Sequence, residues 1–222
     1  MLSAQISAPV SFWKGLKEIS MFFQGKDEVH KTLRRLVKRL EKAGITYAVV
    51  GGMAVYYHRY RRTTDDVDIL LTRAGFDAFR KKFVPKCYLP HPDFYKRFID
   101  RVNEVTIDIL ITGLFPGSGE PGPIAYPNPT ESSQPIEKIQ IVTLPSLIAL
   151  KLAARRLQDF ADVVNLIRFN TLDESFQTKV HPSVREDFIE CLDEKRREDE
   201  YAVRQDRAAR QQADEYPRRK KR

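Results

Sequence analysis

Residues 45–71 decide the fold, and they read ITYAVVGGMAVYYHRYRRTTDDVDILL. The β-branched and aromatic residues at 45–50 predict a short strand, which ends at the paired Gly51 and Gly52. Residues 53–60 predict a helix that begins at these glycines, and residues 66–72 predict a second strand. Strands joined by helices in this way predict a small mixed α/β sheet flanked by helices, an α/β (α+β) fold.

Three carboxylates, Asp65, Asp66 and Asp68, stand at the start of the second strand. Because residues i and i+2 of a strand point to the same side, Asp66 and Asp68 form a pair, and Asp65 points away from them. In the strand predicted at 104–112, Asp108 is the lone charge among Val105, Ile107, Ile109 and Leu110, and it joins the pair if the two strands are neighbours. Clustered carboxylates repel each other, and a hard divalent cation such as Mg²⁺ neutralises them. The alternatives are charges that simply face water and, for Asp108, a solvent-facing edge strand.

The rest of the chain predicts further helices, one more strand and a long loop. Apolar residues at helical spacing predict amphipathic helices at 27–43 and 74–83. Residues 113–135 contain six of the thirteen prolines and four of the ten glycines, which predicts a loop. A strand at 139–144 and helices from Pro145 onward complete the pattern. We predict an N-terminal segment at 1–26, a main domain at 27–170, a helical segment at 171–193, and a charged tail at 194–222, either helical or disordered.

The order of these elements resembles the nucleotidyltransferase superfamily related to DNA polymerase β. That superfamily has a strand ending in Gly-Gly or Gly-Ser, then an Asp-x-Asp motif, and a third Asp on a later strand. The sequence is most similar to the AbiEii-like minimal nucleotidyltransferases associated with toxin–antitoxin systems. The residues that match that group's motifs, within roughly 28–168, are Gly51, Gly52, Ala54, His58, Arg62, Thr64, Asp66, Asp68 and Asp108, followed by Lys151, Arg156, Asp159 and Asp162.

The resemblance implies roles for residues outside the carboxylate cluster. Arg62 and Thr64 would order the site or touch phosphate, although Arg62 also fits an ordinary basic surface. Lys151 lies on an apolar helix face, where it could extend its charge to solvent or reach a triphosphate as a point charge. Asp159 would support Lys151 or the nucleotide, and it could equally cap its helix.

Two positions depart from the group's pattern. Arg59 stands where the group has Gly after its His, and Gln158 stands where it has Lys before its Asp. The first departure can reshape the end of a helix near the nucleotide, and the second can change substrate affinity. Neither removes a predicted metal ligand.

The expected function is Mg²⁺-dependent transfer of a nucleotide from an NTP, such as ATP, to a hydroxyl group, with release of pyrophosphate. Gly51 and Gly52 let the backbone approach the triphosphate, because they have no Cβ atom. Asp66, Asp68 and Asp108 would be catalytic and would bind two Mg²⁺ ions, for which Mn²⁺ can substitute, with Asp108 either a ligand or a general base. The acceptor would be an RNA 3′ end, such as that of tRNA, or a protein such as a partner toxin or antitoxin. The alternative is a non-enzymatic protein that uses the same scaffold to bind nucleic acid or a partner.

Composition adds broader expectations. The net charge is +8, and the tail at 194–222 has eleven basic and seven acidic residues, which fits either attraction to nucleic acid or a solvated tail. Only two cysteines, Cys87 and Cys191, are present, so we expect a reducing cytoplasm rather than a disulfide framework. No apolar run approaches the roughly 20 residues that span a bilayer, so no membrane partner is expected.

Overall fold

The computed structural model describes residues 12–219. Within that range, eight α-helices, two short 3-10 helices and seven strands follow one another along the chain. The helices are α1 (Phe12–Phe23), α2 (Glu28–Lys42), α3 (Gly51–Tyr57), α4 (Arg73–Phe83), α5 (Pro129–Ser132), α6 (Leu144–Ala154), α7 (Leu157–Asn170) and α8 (Arg185–Arg219), and the 3-10 helices are Glu174–Lys179 and Pro182–Val184. The strands are β1 (Tyr47–Val49), β2 (Asp66–Leu71), β3 (Tyr88–Pro90), β4 (Arg97–Asp100), β5 (Thr106–Ile111), β6 (Ser133–Ile136) and β7 (Ile139–Val142).

All seven strands form one mixed sheet in the order β3-β4-β5-β2-β1-β7-β6. The pairs β2–β5 and β1–β7 are parallel, and the other four pairs are antiparallel. Helices α2, α3 and α4 pack against these strands. The predicted α/β fold, a mixed sheet flanked by helices with a helical C-terminal part, is therefore confirmed.

Helix α2 shows how local sequence builds this core. The Asp27 side chain accepts hydrogen bonds from the amides of Val29 and His30 and so caps the helix start. Gly44 follows the last turn with a φ of +67°, a conformation that suits glycine. Between these ends, an apolar stripe is fully buried, and it consists of Leu33, Leu36 and Leu40.

Two stretches differ from the expectation. Strands β3 and β4 were not predicted, and together they form an antiparallel hairpin beside β5. The expected loop at 113–135 contains the short helix α5 and most of β6. Asn128 starts α5 by accepting a hydrogen bond from the Thr130 amide, and Pro129 occupies its first turn.

The charged tail continues helix α8 as far as Arg219, and residues 220–222 lie outside the described range. Cys87 and Cys191 are both free thiols. Among the residues described, no helix combines the length and apolar character that crossing a bilayer requires.

Residue contacts divide the chain into two compact units. The first unit contains the whole sheet with α1 to α5, and the second contains α6 to α8 and both 3-10 helices. The segments 58–60 and 115–125 belong to the second unit. The domain boundaries predicted from the sequence remain a prediction.

Candidate active site

The centre of the candidate site is a group of three carboxylates on two parallel strands of the first unit. Asp66 and Asp68 lie on β2, and Asp108 lies on β5, directly opposite Asp68 in the register of the two strands. One carboxylate oxygen from each residue lies within 4.8 Å of the others, and all three residues are half-buried. The structure thus brings together the three residues that the sequence predicted would meet, whereas Asp65 is exposed.

The paired glycines are needed for close packing against this group. Gly51 has a φ of +58°, and a Cβ atom there would overlap the carboxylate of Asp68. A Cβ atom on Gly52 would lie 2.6 Å from Oγ1 of Thr64, which is closer than van der Waals contact allows. Any larger residue at either position would therefore displace a side chain of the candidate site.

Thr64 and Arg62 approach the carboxylates differently. The Thr64 hydroxyl donates a 2.6 Å hydrogen bond to Oδ1 of Asp66 and so fixes the orientation of that carboxylate. Arg62 is half-buried, and its guanidinium donates to the Thr63 carbonyl oxygen at 3.1 Å. That Thr64 orders an active site, and that either residue contacts phosphate, remain predictions.

Sequence reasoning missed Arg97, which faces the same group from β4. Its guanidinium donates two hydrogen bonds of 2.8 Å, from Nε and Nη2, to the two oxygens of Asp108. Arg97 and Asp108 are also register partners in the antiparallel β4–β5 pair. Because β4 itself was not predicted, no signal in the sequence placed this arginine beside the third carboxylate.

Lys151 and Asp159 form a buried ion cluster inside the second unit. Lys151 Nζ lies 3.0 Å from Asp159 and 2.6 Å from Asp162, and the three side chains are at most 7% exposed. Arg156 adds a second cation, with its Nε 2.6 Å from Asp159. Gln158 donates to the remaining oxygen of Asp162 at 3.2 Å. The roles that the resemblance implies for Lys151 and Asp159, including contact with a nucleotide, stay predictions.

The departure at Arg59 has a structural consequence. Arg59 follows the end of α3 and has a φ of +75°, in the left-handed region where glycine carries no penalty. The glycine that the resembling group has here would adopt this conformation without strain. His58 is buried, and its carbonyl oxygen accepts a 2.8 Å hydrogen bond from Asn170.

The donor set of the three carboxylates fits a hard divalent cation. Carboxylate oxygens are the ligands that Mg²⁺ and Mn²⁺ prefer, and half-buried oxygens can exchange water for an ion. The 4.8 Å limit on their mutual distances allows one ion to contact more than one carboxylate. Asp66 also accepts from Thr64, and Asp108 accepts from Arg97, so both carboxylates are held in a fixed orientation.

No protein-family model matches the chain, and no curated protein matches it. The solved structures that are similar to it include the following three. ANT(2")-Ia, in a complex with adenylyl-2"-tobramycin, has 11% identity over 72% of this chain and 96% of that chain, with a TM-score of 0.46. A protein from H. pylori, named provisionally as a nucleotidyltransferase, has 16% identity over 74% of this chain and 76% of that chain, with a TM-score of 0.42. JHP933 from Helicobacter pylori has 16% identity over 67% of this chain and 69% of that chain, with a TM-score of 0.40. At these identities and TM-scores the likeness does not decide an activity, so the function proposed below depends on the site itself.

Proposed function

We propose that this protein is a metal-dependent nucleotidyltransferase that transfers a nucleoside monophosphate from an NTP to a hydroxyl acceptor. The observation that carries the proposal is the meeting of Asp66, Asp68 and Asp108 on two parallel strands, directly beside the Gly51-Gly52 turn. A fold has no need of three half-buried carboxylates at one point, because their mutual repulsion opposes folding. A divalent cation held by these carboxylates would offset that repulsion and would supply positive charge for binding a polyphosphate.

In this reaction the acceptor oxygen forms a bond to the α-phosphorus while the bond from that phosphorus to the bridging oxygen breaks. The acceptor proton goes to a base or to water, and pyrophosphate leaves. Bound Mg²⁺ would neutralise the phosphate charge and orient the reacting oxygens. Asp66 and Asp68 would hold the cation, and the Thr64 hydroxyl would keep Asp66 aimed at it. Catalysis would thus consist mainly of positioning and charge neutralisation.

The roles of the other predicted residues follow from where they lie. Gly51 and Gly52 would bring the backbone at the start of α3 close to the triphosphate. Asp108 would accept the acceptor's proton or contribute to the cation site, and Arg62 would contact phosphate. ATP is the NTP that we expect to be used, and the acceptor would be an RNA 3′ end or a protein hydroxyl, including that of a partner toxin or antitoxin.

The test is transfer of label from each α-³²P-labelled NTP in the presence of Mg²⁺, with total tRNA and a protein lysate as acceptors. We expect label on one acceptor class, and a loss of about 10²-fold or more in the variant that combines Asp66→Asn with Asp68→Asn. Asp65→Asn is the matched control, because it removes an adjacent but exposed carboxylate. It should leave the rate within about twofold of the unmodified protein.

A second readout does not depend on finding the acceptor. The NTP with Mg²⁺ should raise the melting temperature of the unmodified protein and of Asp65→Asn, because a ligand that binds only the folded state stabilises it. The Asp66/Asp68 double variant should show no such shift. If the unmodified protein shows neither transfer nor stabilisation, the enzyme proposal fails and a binding protein on this scaffold remains.

A further inference from the structure

Two aromatic side chains are exposed on the turn that joins β3 to β4, beside the carboxylates of the candidate site. Phe94 is 51% exposed and Tyr95 is 62% exposed, although phenylalanine is among the residues most often buried. The Arg97 guanidinium contacts both Phe94 and the third carboxylate. Its carbon lies 4.6 Å from the Phe94 ring centroid, and two of its nitrogens lie 2.8 Å from the oxygens of Asp108. A single guanidinium group therefore connects the exposed ring to the candidate site.

Backbone hydrogen bonds hold the turn that carries these rings. The His91 amide donates to the Arg97 carbonyl oxygen at 2.9 Å, and the Arg97 amide donates to the Phe94 carbonyl oxygen at 3.1 Å. The Ile109 amide donates to the Lys96 carbonyl oxygen at 2.9 Å, which joins the turn to β5. The turn is thus fixed relative to the sheet, and a ligand that binds there pays little to order it.

An arginine lies against each exposed ring. The guanidinium carbon of Arg80, on α4, is 4.8 Å from the centroid of Tyr95, and Arg97 stands in the same relation to Phe94. The buried ring of Phe76 supports Tyr95 edge-on, with 5.5 Å between the centroids. Proteins that bind single-stranded nucleic acid combine these two groups, a ring on which a base stacks and a cation for the phosphates.

The charge of this part of the chain suits a polyanion. Residues 80–97 have a net charge of +5, because Asp93 is the one acidic residue among six basic residues, which are Arg80, Lys81, Lys82, Lys86, Lys96 and Arg97. Basic residues attract phosphates whatever the sequence of the strand, and stacking adds a preference for strands whose bases are unpaired. Of the two acceptor classes considered above, only RNA presents a flat base and a phosphate in every unit.

We propose that Phe94 and Tyr95 bind the bases of a single-stranded RNA by stacking, so that the acceptor of the reaction is an RNA 3′ end. The inference rests on the proposed function and narrows its acceptor from RNA or protein to RNA. Arg80 holds an adjacent phosphate through charge-assisted hydrogen bonds. The strand is bound beside the carboxylates, because Phe94 is connected to Asp108 through Arg97.

The measurement is fluorescence anisotropy of a labelled single-stranded RNA, roughly 12 nucleotides long, titrated with the purified full-length protein. A second strand of the same length has abasic sites in place of its bases, so it keeps the phosphate charge but cannot stack. EDTA is present and NTP is absent, so binding depends neither on the metal site nor on transfer. We expect the unmodified protein to bind the RNA at least about fivefold more tightly than the abasic strand.

The test variant combines Phe94→Leu with Tyr95→Leu, which keeps apolar side chains but removes both aromatic faces. It should lose at least about fivefold in affinity for the RNA and bind the abasic strand within about twofold of the unmodified protein, which also verifies its fold. The rescue variant combines Phe94→Tyr with Tyr95→Phe, and it should bind the RNA within about threefold of the unmodified protein. Leu89→Ala is the matched control, because Leu89 is an exposed apolar residue of the same hairpin without an aromatic ring, and it should leave both affinities within about twofold.

Equal affinity of the unmodified protein for the RNA and the abasic strand would overturn the inference and leave the proposed function intact. Unchanged RNA affinity in the leucine variant would have the same consequence. Transfer of label to protein alone, in the assay described above, would also overturn the inference, because the enzyme would then use the other acceptor class. Failure of the proposed function is a separate result, the absence of both transfer and stabilisation by NTP with Mg²⁺, and it would overturn the acceptor role even of an RNA that binds.

Discussion

Replacing Lys151 by methionine tests whether the buried ion cluster of the second unit is structural. Lys151 lies on α6, and its partners Asp159 and Asp162 lie on α7, so the cluster joins the two helices. Methionine has a similar length and an apolar stem, so it fills the space of the lysine without replacing its charge. The change therefore isolates the electrostatic contribution of Nζ.

The size of the stability loss depends on the contacts that each carboxylate keeps when Lys151 is replaced. Asp159 retains Arg156, which contacts it at 2.6 Å and 3.2 Å. Asp162 is fully buried and keeps its contact with Gln158 at 3.2 Å. Removing one partner of a buried ion pair costs about 3–5 kcal/mol, because the other buried charge loses a close countercharge. We expect Lys151→Met to lower the free energy of unfolding by that amount, a large share of the roughly 5–15 kcal/mol of a typical domain.

The assay is urea unfolding followed by far-ultraviolet circular dichroism at neutral pH. The rescue variant combines Lys151→Met with Asp162→Asn, which removes the buried charge and can keep the contact with Gln158. It should recover at least half of the lost stability. Lys195→Met is the control, because Lys195 contacts Asp199 at 2.7 Å on α8 where both side chains are partly exposed, and such an ion pair contributes little to stability.

The reasoning is refuted if Lys151→Met costs no more stability than Lys195→Met. That outcome, together with weakened NTP binding, would favour the role implied by the resemblance, in which Lys151 reaches the triphosphate. A large loss of stability that Asp162→Asn does not rescue would show that packing, and not the charge, decides the effect.

Two further predictions concern strain and a buried thiol. Arg59→Gly should raise the free energy of unfolding by up to about 1 kcal/mol, because it relieves the strain of a φ of +75°. Arg61→Gly is the control at a position without a positive φ, and it should lower the free energy of unfolding by about 0.5 kcal/mol in the same urea assay. Burial, followed by the charges of nearby acidic residues, raises the pKa of Cys191 to about 12, so iodoacetamide near pH 8 should modify Cys87 and spare Cys191. The Cys191 thiol loses its proton near pH 9 in the unfolded state and near pH 12 in the folded state, so the free energy of unfolding should fall between pH 9 and pH 12. Equal labelling of both thiols in the folded protein would contradict the raised pKa of Cys191.

The carboxylate site could be predicted because its signals are local and periodic. Asp66 and Asp68 share a face through the period of two in a strand, and the apolar residues around them fix which segment is the strand. The position of Asp108 required one further assumption, that β2 and β5 are neighbours. The structure confirms it, with Asp68 opposite Asp108 in a parallel pair.

Arg97 could not be predicted because β4 has no clear apolar alternation. The residues of β4 that face the core are Phe98 and Asp100, so a charge occupies one of the two positions where a hydrophobic residue is expected. Asp100 is tolerated there because Arg35 contacts it at 2.6 Å and the amide of Asn103 donates to it. These partners come from distant or irregular parts of the chain, so the short strand has no signature of its own.

The sequence motifs contain two groups of charged residues, the carboxylates on β2 and β5 and the ion cluster on α6 and α7, and the two groups differ in burial. Asp66, Asp68 and Asp108 are half-buried, so an ion can reach their oxygens without first breaking the protein core. Lys151 would have to leave Asp162, at 2.6 Å and fully buried, before it could contact a phosphate. Breaking a buried ion pair costs about 3–5 kcal/mol, which a single lysine–phosphate contact does not recover when the lysine already has an ionic partner. We therefore expect the half-buried carboxylates to hold the ligand and the buried cluster to hold α6 against α7.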